Sequence, residues 1–488
     1  MSAESDMMAA PGVVPVSFKS PAALSPLWVG AAIYGLLLVV GERLLNDPDT
    51  YWHIATGRWI WAHAAVPTTD PFSHTLAGAP WHAHEWLSEL IIAGAYGTLG
   101  WAGVVALGAL AVAASLALLM RALARLARPT VALGATAMAF FLMAAHLMAR
   151  PHALALPILV AWAAALIRAR DEAQAPSLRL LPLMALWANM HGGFVIGLGL
   201  ACALALETVL AAEGARERRV AIWRWGQFIG GAALASVLTP QGIAGWWFPF
   251  KLMSFGFGLD FVGEWHAPAL GPFHPLVLWL AALIAFTLAS GLRAPLFRVL
   301  MVATLVTMAL SRTRNAELLA MLGPLLLAGF VPTSLRPASP SLSAPEGRRG
   351  VRQSVAVLLV FIAATGAAVI RGYAHENLAI APSSALTAAR QAGLTGPVFN
   401  DYDFGGYLIF EGVAPFVDGR IDLYGDDFMR AYAAALGAED DVLPPLLDRY
   451  RIAWTLLKPG EPAAAALDRD PAWERTYADE NAVVHRRR

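Results

Sequence analysis

Charge is what this sequence most lacks. Asp, Glu, Lys and Arg make up 14% of the 488 residues, and 58% are hydrophobic. A soluble globular protein carries about 25% charged residues. So little polar surface cannot cover so much apolar side chain in water, and lipid is the natural cover. Apolar stretches near the length of a bilayer crossing say the same. A soluble enzyme, a disordered protein and a nucleic-acid binder are excluded. Cysteine is almost missing as well: Cys202 stands alone in an apolar stretch, so no intrachain disulfide exists. No internal repeat is visible, against the two-halved plan of most secondary transporters. No A-x-A cleavage site follows the first apolar segment. That segment reads as a signal anchor behind a cytoplasmic tail, residues 1–25, that carries Lys19.

The charge that is present is sorted along the chain. From Glu376 onward there are 11 basic against 18 acidic residues, and the remainder has 24 against 17, so a net charge of zero hides −7 and +7. Short cytoplasmic loops retain arginine, and on that rule the chain threads as follows. A first span covers 27–45 and a long polar, aromatic loop 46–100. Span two ends at Arg121, Arg125 and Arg128, span three rises to Arg150-Pro151-His152, and span four returns to Arg168, Arg170 and Arg179. The glycine pair in Asn189-Met190-His191-Gly192-Gly193 breaks the next apolar stretch into two. Span seven reaches Thr239-Pro240, and an outside loop runs to Pro275. Span eight ends near Arg293 and Arg298, span nine at Arg312-Thr313-Arg314-Asn315, and span ten at a Pro/Ser/Arg linker over 332–352. Span eleven ends at Arg371. The expected fold is therefore mostly α: a polytopic membrane domain of about eleven transmembrane helices over 26–371, followed by an α/β domain over 372–488 on the outer side. In that domain helices are expected over 384–392 and 427–436, and strands over 397–400, 414–418, 452–457 and 482–485.

Polar chemistry collects on the outer side. Every histidine except His146 falls there, together with Asp47, Asp49, Asp70, Glu85 and Glu264. Ionisable groups at membrane depth are expensive and usually serve a cavity. Two aspartates leave the first span in Asn46-Asp47-Pro48-Asp49-Thr50-Tyr51-Trp52-His53. Such a pair suits a divalent ion through hard oxygen ligands, a general base, or a plain helix cap. The loop continues through Asp70-Pro71-Phe72-Ser73-His74 and Trp81-His82-Ala83-His84-Glu85-Trp86. Its tryptophans suit a membrane interface or the face of a sugar ring. His82, His84 and Glu85 offer zinc ligands without the H-E-x-x-H spacing. Arg150 and His152, Gly263-Glu264-Trp265-His266, and Arg312 with Arg314 complete the outer set. Arginine binds phosphate bidentately, which suits a lipid-linked phosphate.

This inventory resembles the GT-C superfamily of membrane glycosyltransferases, and most closely the catalytic subunit of oligosaccharyltransferases. In that family an Asp ends the first helix before an aromatic-rich segment, a position similar to Asp47 here, and a Glu of a later outside loop matches Glu264. The family's tryptophan-tryptophan-aspartate-tyrosine-glycine motif is similar to Asp401-Tyr402-Asp403-Phe404-Gly405, followed by Gly406-Tyr407 and then Val417-Asp418-Gly419. The tryptophan pair, which helps that family bind an acceptor Ser or Thr, is replaced here by Asp401 and Tyr402. Gly405-Gly406 also reads simply as a turn between strands, using positive φ.

The resemblance implies transfer of a sugar or glycan from a polyprenyl-phosphate-linked donor to a periplasmic protein, lipid or glycan, at the inner membrane of a bacterium. The expected catalytic residues are Asp47, Asp49, Glu264 and His53. Arg150, His152, Arg312 and Arg314 are expected to bind donor phosphate, and Trp52, His84, Glu85, Asp403 and Tyr407 the acceptor. A divalent Mg or Mn is expected on Asp47, Asp49 and Glu264. Membrane lipids are the other expected partner, and nucleic acid is not one. The rival readings are an O-antigen-ligase or polymerase-like enzyme that joins lipid-linked polysaccharides, and a secondary transporter.

Overall fold

The structure, a computed structural model, describes residues 25–337, 348–373 and 377–488. The tail expected over 1–25, except its last residue, and residues 338–347 of the linker lie outside the described residues. The helices of the first part are α1 (Pro26–Val39), α2 (Asp49–His63), α3 (Trp86–Leu123), α4 (Pro129–Met143), α5 (Pro151–Asp171), α6 (Leu181–Met190) and α7 (Phe194–Ala211). They continue as α8 (Ala215–Ser236), α9 (Ile243–Ser254), α10 (Pro275–Ser290), α11 (Leu296–Ser311), α12 (Ala316–Ala328) and α13 (Arg348–Arg371). Proline stands at the first or second position of α1, α4, α5, α6 and α10. Its missing N–H costs nothing there, and its fixed φ suits the first turn.

A helix stands wherever a span was expected. Among the described residues four are long and apolar enough to cross a membrane: α3, α5, α7 and the 350–371 part of α13. α3 is the axis of the bundle. It packs on α1, α2, α4, α5 and α13, and its Val105, Val112, Leu116 and Leu119 join Leu159, Trp162 and Leu166 of α5 in the core. α13 instead turns Leu358, Leu359, Ile362 and Ile370 outward. An apolar face of that extent in a single-chain protein is one that lipid covers. The stretch 46–100 is not loop throughout: it holds α2 and the start of α3, which kinks at Gly100 (φ +58°), a conformation glycine adopts readily. The break expected near Gly192-Gly193 separates α6 from α7.

The C-terminal part contains α14 (Ser383–Gln391), β1 (Val398–Asn400), α15 (Gly405–Phe410), α16 (Ile421–Leu436), α17 (Leu443–Arg449), β2 (Trp454–Leu457), α18 (Pro462–Arg469), β3 (Trp473–Ala478) and β4 (Val483–Arg487). The sheet order is β1-β2-β4-β3. β1 and β2 are parallel, Val398 opposite Trp454, and β4 is antiparallel to both β2 and β3. Two expectations are corrected here. Residues 414–418 form no strand, because side chains take over the ladder: Asn400 donates to the Val417 carbonyl and accepts from the Phe416 N–H, while Thr75 donates to the Phe416 carbonyl. Gly405-Gly406 is no positive-φ turn either, since Gly405 (φ −59°) opens α15. Both glycines are there for close approach. A Cβ on Gly406 would lie 2.3 Å from the Pro48 carbonyl oxygen, and one on Gly405 2.2 Å from that of Val417.

Candidate active site

The end of α1 sets the site. A 3-10 turn over Gly41–Leu45 leads the chain out of α1, and Asp47 and Asp49 emerge on either side of Pro48, both buried. The Asp49 N–H and the Thr50 hydroxyl donate to Asp47, and the Trp52 Nε1–H donates to Asp49 (3.0 Å). The Ala149 N–H donates to the Leu44 carbonyl (2.8 Å). That bond draws the chain before α5 against the end of α1, so Arg150, at the N-terminus of α5, faces both aspartates. Its Nε lies 2.9 Å from Asp47, its Nη2 pairs with Asp49, and its Nη1 lies 3.4 Å from Glu264. Glu264 is also 3.3 Å from Arg314, and Arg312 and Arg314 both lie against the Trp265 ring.

Two buried carboxylates and the partly buried Glu264 thus share two guanidinium groups. Burial pushes the Asp47 pKa up and takes Asp49 to about 7, against the pull of Arg150. Burial acts upward on Glu264 too, but Arg150 and Arg314 outweigh it and hold that carboxyl at about 2. Glu264 is therefore held as an anion, whereas burial favours the neutral form of Asp49.

A cavity of about 280 Å³ opens beside this cluster. One wall carries Asp49, Arg150, Glu264 and Arg314, with His152, which lies 3.5 Å from Glu317 of α12. The other carries His53, His84, Glu85 and His191. The start of α3 builds that second wall: Trp86 Nε1–H donates to Asn189 and the Ser88 hydroxyl to the Met190 carbonyl. His191, at the break between α6 and α7, is thereby brought to Glu85. Burial raises Glu85 to about 7 and lowers His84 to about 3. Apolar surface comes from Leu156 and Leu159 of α5 and from Phe248, Leu252 and Met253 of α9.

The C-terminal part closes the cavity with Gly419, Ile421 and Asp422. A Cβ on Gly419 would stand 1.9 Å from Asp49 Oδ1. What presses this loop so close is a buried ion network. Arg420 forks onto Asp418 through Nε and Nη2 (both 2.7 Å), reaches Asp70 of the first loop through Nη1 (2.6 Å), and lies over the rings of Trp81 and Phe72.

The same arrangement of helices is found in solved structures. ArnT from Cupriavidus metallidurans bound to undecaprenyl phosphate aligns with 94% of this chain and 97% of its own (TM-score 0.50, 16% identity). The apo oligosaccharyltransferase of Archaeoglobus fulgidus aligns with 90% of this chain and 70% of its own (TM-score 0.56, 11% identity). The chain shares the fold of these two proteins. No protein-family model matches the chain, and no curated protein matches it.

Within this fold the residues singled out by sequence divide clearly. Asp49, Trp52, His53, His84, Glu85, Arg150, His152, Glu264 and Arg314 line the cavity, and Asp47 lies behind it on Arg150. Arg312 stays outside, on Trp265. Asp403 pairs with Lys458, and Tyr407 packs edge-on against Tyr51, both away from the cavity. His82 is exposed and does not join His84 and Glu85. Asp47, Asp49 and Glu264 do converge, but the Arg150 guanidinium fills the space between them. As arranged they do not fit a divalent ion, and among the described residues no three His, Cys, Asp or Glu side chains are set to hold a metal. Sequence reasoning gave no role to His191, Glu89, Asp422 or Gly419. The signals for Glu89 and His191 were present, as a second acid one turn after Glu85 and an imidazole at a helix break.

Proposed function

We propose that this chain is a glycosyltransferase of the bacterial inner membrane that moves a sugar from a polyprenyl-phosphate-linked donor to an acceptor on the periplasmic side. The observation that carries the reading is the Arg150 cluster, a guanidinium held by buried carboxylates at the mouth of a cavity in a membrane bundle. One solved structure of the same fold holds undecaprenyl phosphate. The arginines Arg121, Arg125, Arg168 and Arg170 lie at the opposite helix ends, which supports an eleven-span path with the C-terminal domain outside.

In this reading Arg150 and Arg314 take the donor phosphate, with His152 beside them. The phosphate competes with Asp49 for Arg150 and so frees that carboxylate. Asp49 then accepts the proton of the acceptor hydroxyl as its oxygen bonds to the anomeric carbon. The bond from that carbon to the phosphate oxygen breaks, and polyprenyl phosphate leaves with the electron pair, its charge met by the guanidinium groups. Asp47 and Glu264 act by holding Arg150 and Arg314. The charge expected of Mg or Mn is supplied here by arginine.

The test is transfer by the reconstituted protein from a synthetic polyprenyl-phosphate sugar to periplasmic membrane acceptors. Asp49→Asn should lower the rate by about 10²-fold or more, with an unchanged melting temperature. Full transfer by that variant would reject the assignment.

A further inference from the structure

The part of the cavity lining formed by His53, His84, Glu85 and His191 carries polar atoms that the transfer step does not use. Glu85 is ringed by imidazoles, with His191 Nε2 at 3.4 Å, His84 Nε2 at 3.7 Å and His53 Nε2 at 3.9 Å. His53 Nδ1 lies 3.2 Å from Glu89. The Gly193 N–H donates to His191 Nδ1 (2.9 Å), so the neutral ring carries its proton on Nε2 and offers a donor rather than a metal-binding lone pair. Among the described residues Glu85 and Glu89 pair with histidines alone.

Two buried atoms here have no protein partner: Glu89 Oε2 and Trp187 Nε1. Buried polar groups are normally bonded, and these sit in or directly behind a cavity wall. Flat surface adjoins them, since His84 stacks on Phe248 at 3.7 Å and Trp187 lines the same space. Donors, acceptors and ring faces together are what a sugar presents a partner for: its hydroxyls give and accept hydrogen bonds, and its C–H faces pack on rings.

The geometry points to a sugar-ring subsite on this wall, one that takes a neutral, hydroxyl-rich ring and turns away an acidic one. A sugar carboxylate seated here would face Glu85 and Asp422, while the arginines of the same cavity, Arg150 and Arg314, are already held by Asp47, Asp49 and Glu264. This rests on the transferase reading for the supply of sugar, and the ring belongs either to the donor or to a glycan acceptor.

Binding to the protein in lipid nanodiscs tests it with four probes: undecaprenyl phosphate, the same lipid phosphate bearing glucose, that bearing glucuronic acid, and methyl glucoside added with the bare lipid. Glucose on the lipid should tighten binding about tenfold over the bare lipid, while glucuronic acid should add nothing. Glu85→Gln should erase that discrimination, and Trp187→Phe, which keeps the ring and removes one donor, should cost the glucosyl probe about threefold without changing bare-lipid affinity. A gain only with methyl glucoside supports the subsite as the acceptor's. No gain in either arm, or full discrimination retained by Glu85→Gln, overturns it. Failure of bare undecaprenyl phosphate to bind would instead overturn the transferase reading.

Discussion

Arg150 is the residue on which the site turns. It bridges three carboxylates from two distant stretches of chain, which needs the planar fork of arginine. Lysine keeps the charge as a single point and spans fewer partners. Arg150→Lys should therefore cut transfer roughly a hundredfold, read as a fall in kcat/KM. If Mg²⁺ or Mn²⁺ restored transfer to Arg150→Ala, the carboxylates would be a metal site rather than a clamp on arginine. Proton exchange at Asp49 gives a second prediction. A base must be unprotonated to act, and Asp49 is raised to about 7 by burial, so transfer should rise as pH rises through about 7 and level off above it. Glu85 also sits at about 7, and Glu85→Gln separates the two: the rise should persist in that variant if Asp49 is the base. These catalytic candidates were legible in sequence because lone charges on the outer side of an apolar chain are few. Asp403 and Tyr407 were singled out by a motif whose neighbouring glycines serve packing instead.

At the scale of elements, the contact between α15 and the start of α2 ties the two parts of the molecule together. Gly406 leaves no room for a side chain above Pro48 and Trp52, and Tyr407, one residue on, packs on Tyr51. Gly406→Ala should destabilise the protein by about 1–3 kcal/mol through overpacking, seen as a lower melting temperature and faster proteolysis between 372 and 400. Helix positions were readable from apolar stretches and proline starts. What hid α2 and the first turns of α3 was their polarity: residues that pack on protein at a membrane surface look like loop when judged by hydropathy alone. The absent strand at 414–418 has a similar cause, because an alternating pattern does not reveal that Asn400 supplies the pairing.

The whole molecule is a membrane bundle whose cavity is finished by its C-terminal part. Arg420, Asp418 and Asp70 are wholly buried together, and a buried charge that loses its partner is costly, so this network fixes the C-terminal loop over Asp49. The sidedness that follows is testable because Cys202 is the sole cysteine. In a Cys202→Ser background, a cysteine at Glu480 should react with a membrane-impermeant maleimide added to spheroplasts, and one at Arg219 should react only after lysis. Both positions are exposed, and the reverse pattern would invert the path of the chain.

By itself the sequence determined the solvent. A chain this poor in charge sits in lipid, and the placement of its arginines at one set of helix ends is what the proposed path rests on, since moving charge across a bilayer is expensive. It also brought Asp47 and Asp49 to light, because they are local to one helix end. Only the tertiary structure decided what surrounds them. Arg150, Glu264 and Gly419 reach Asp49 from far along the chain, and His191 reaches Glu85 through a helix break. Such contacts depend on the packing of several helices at once, which no local pattern of residues records.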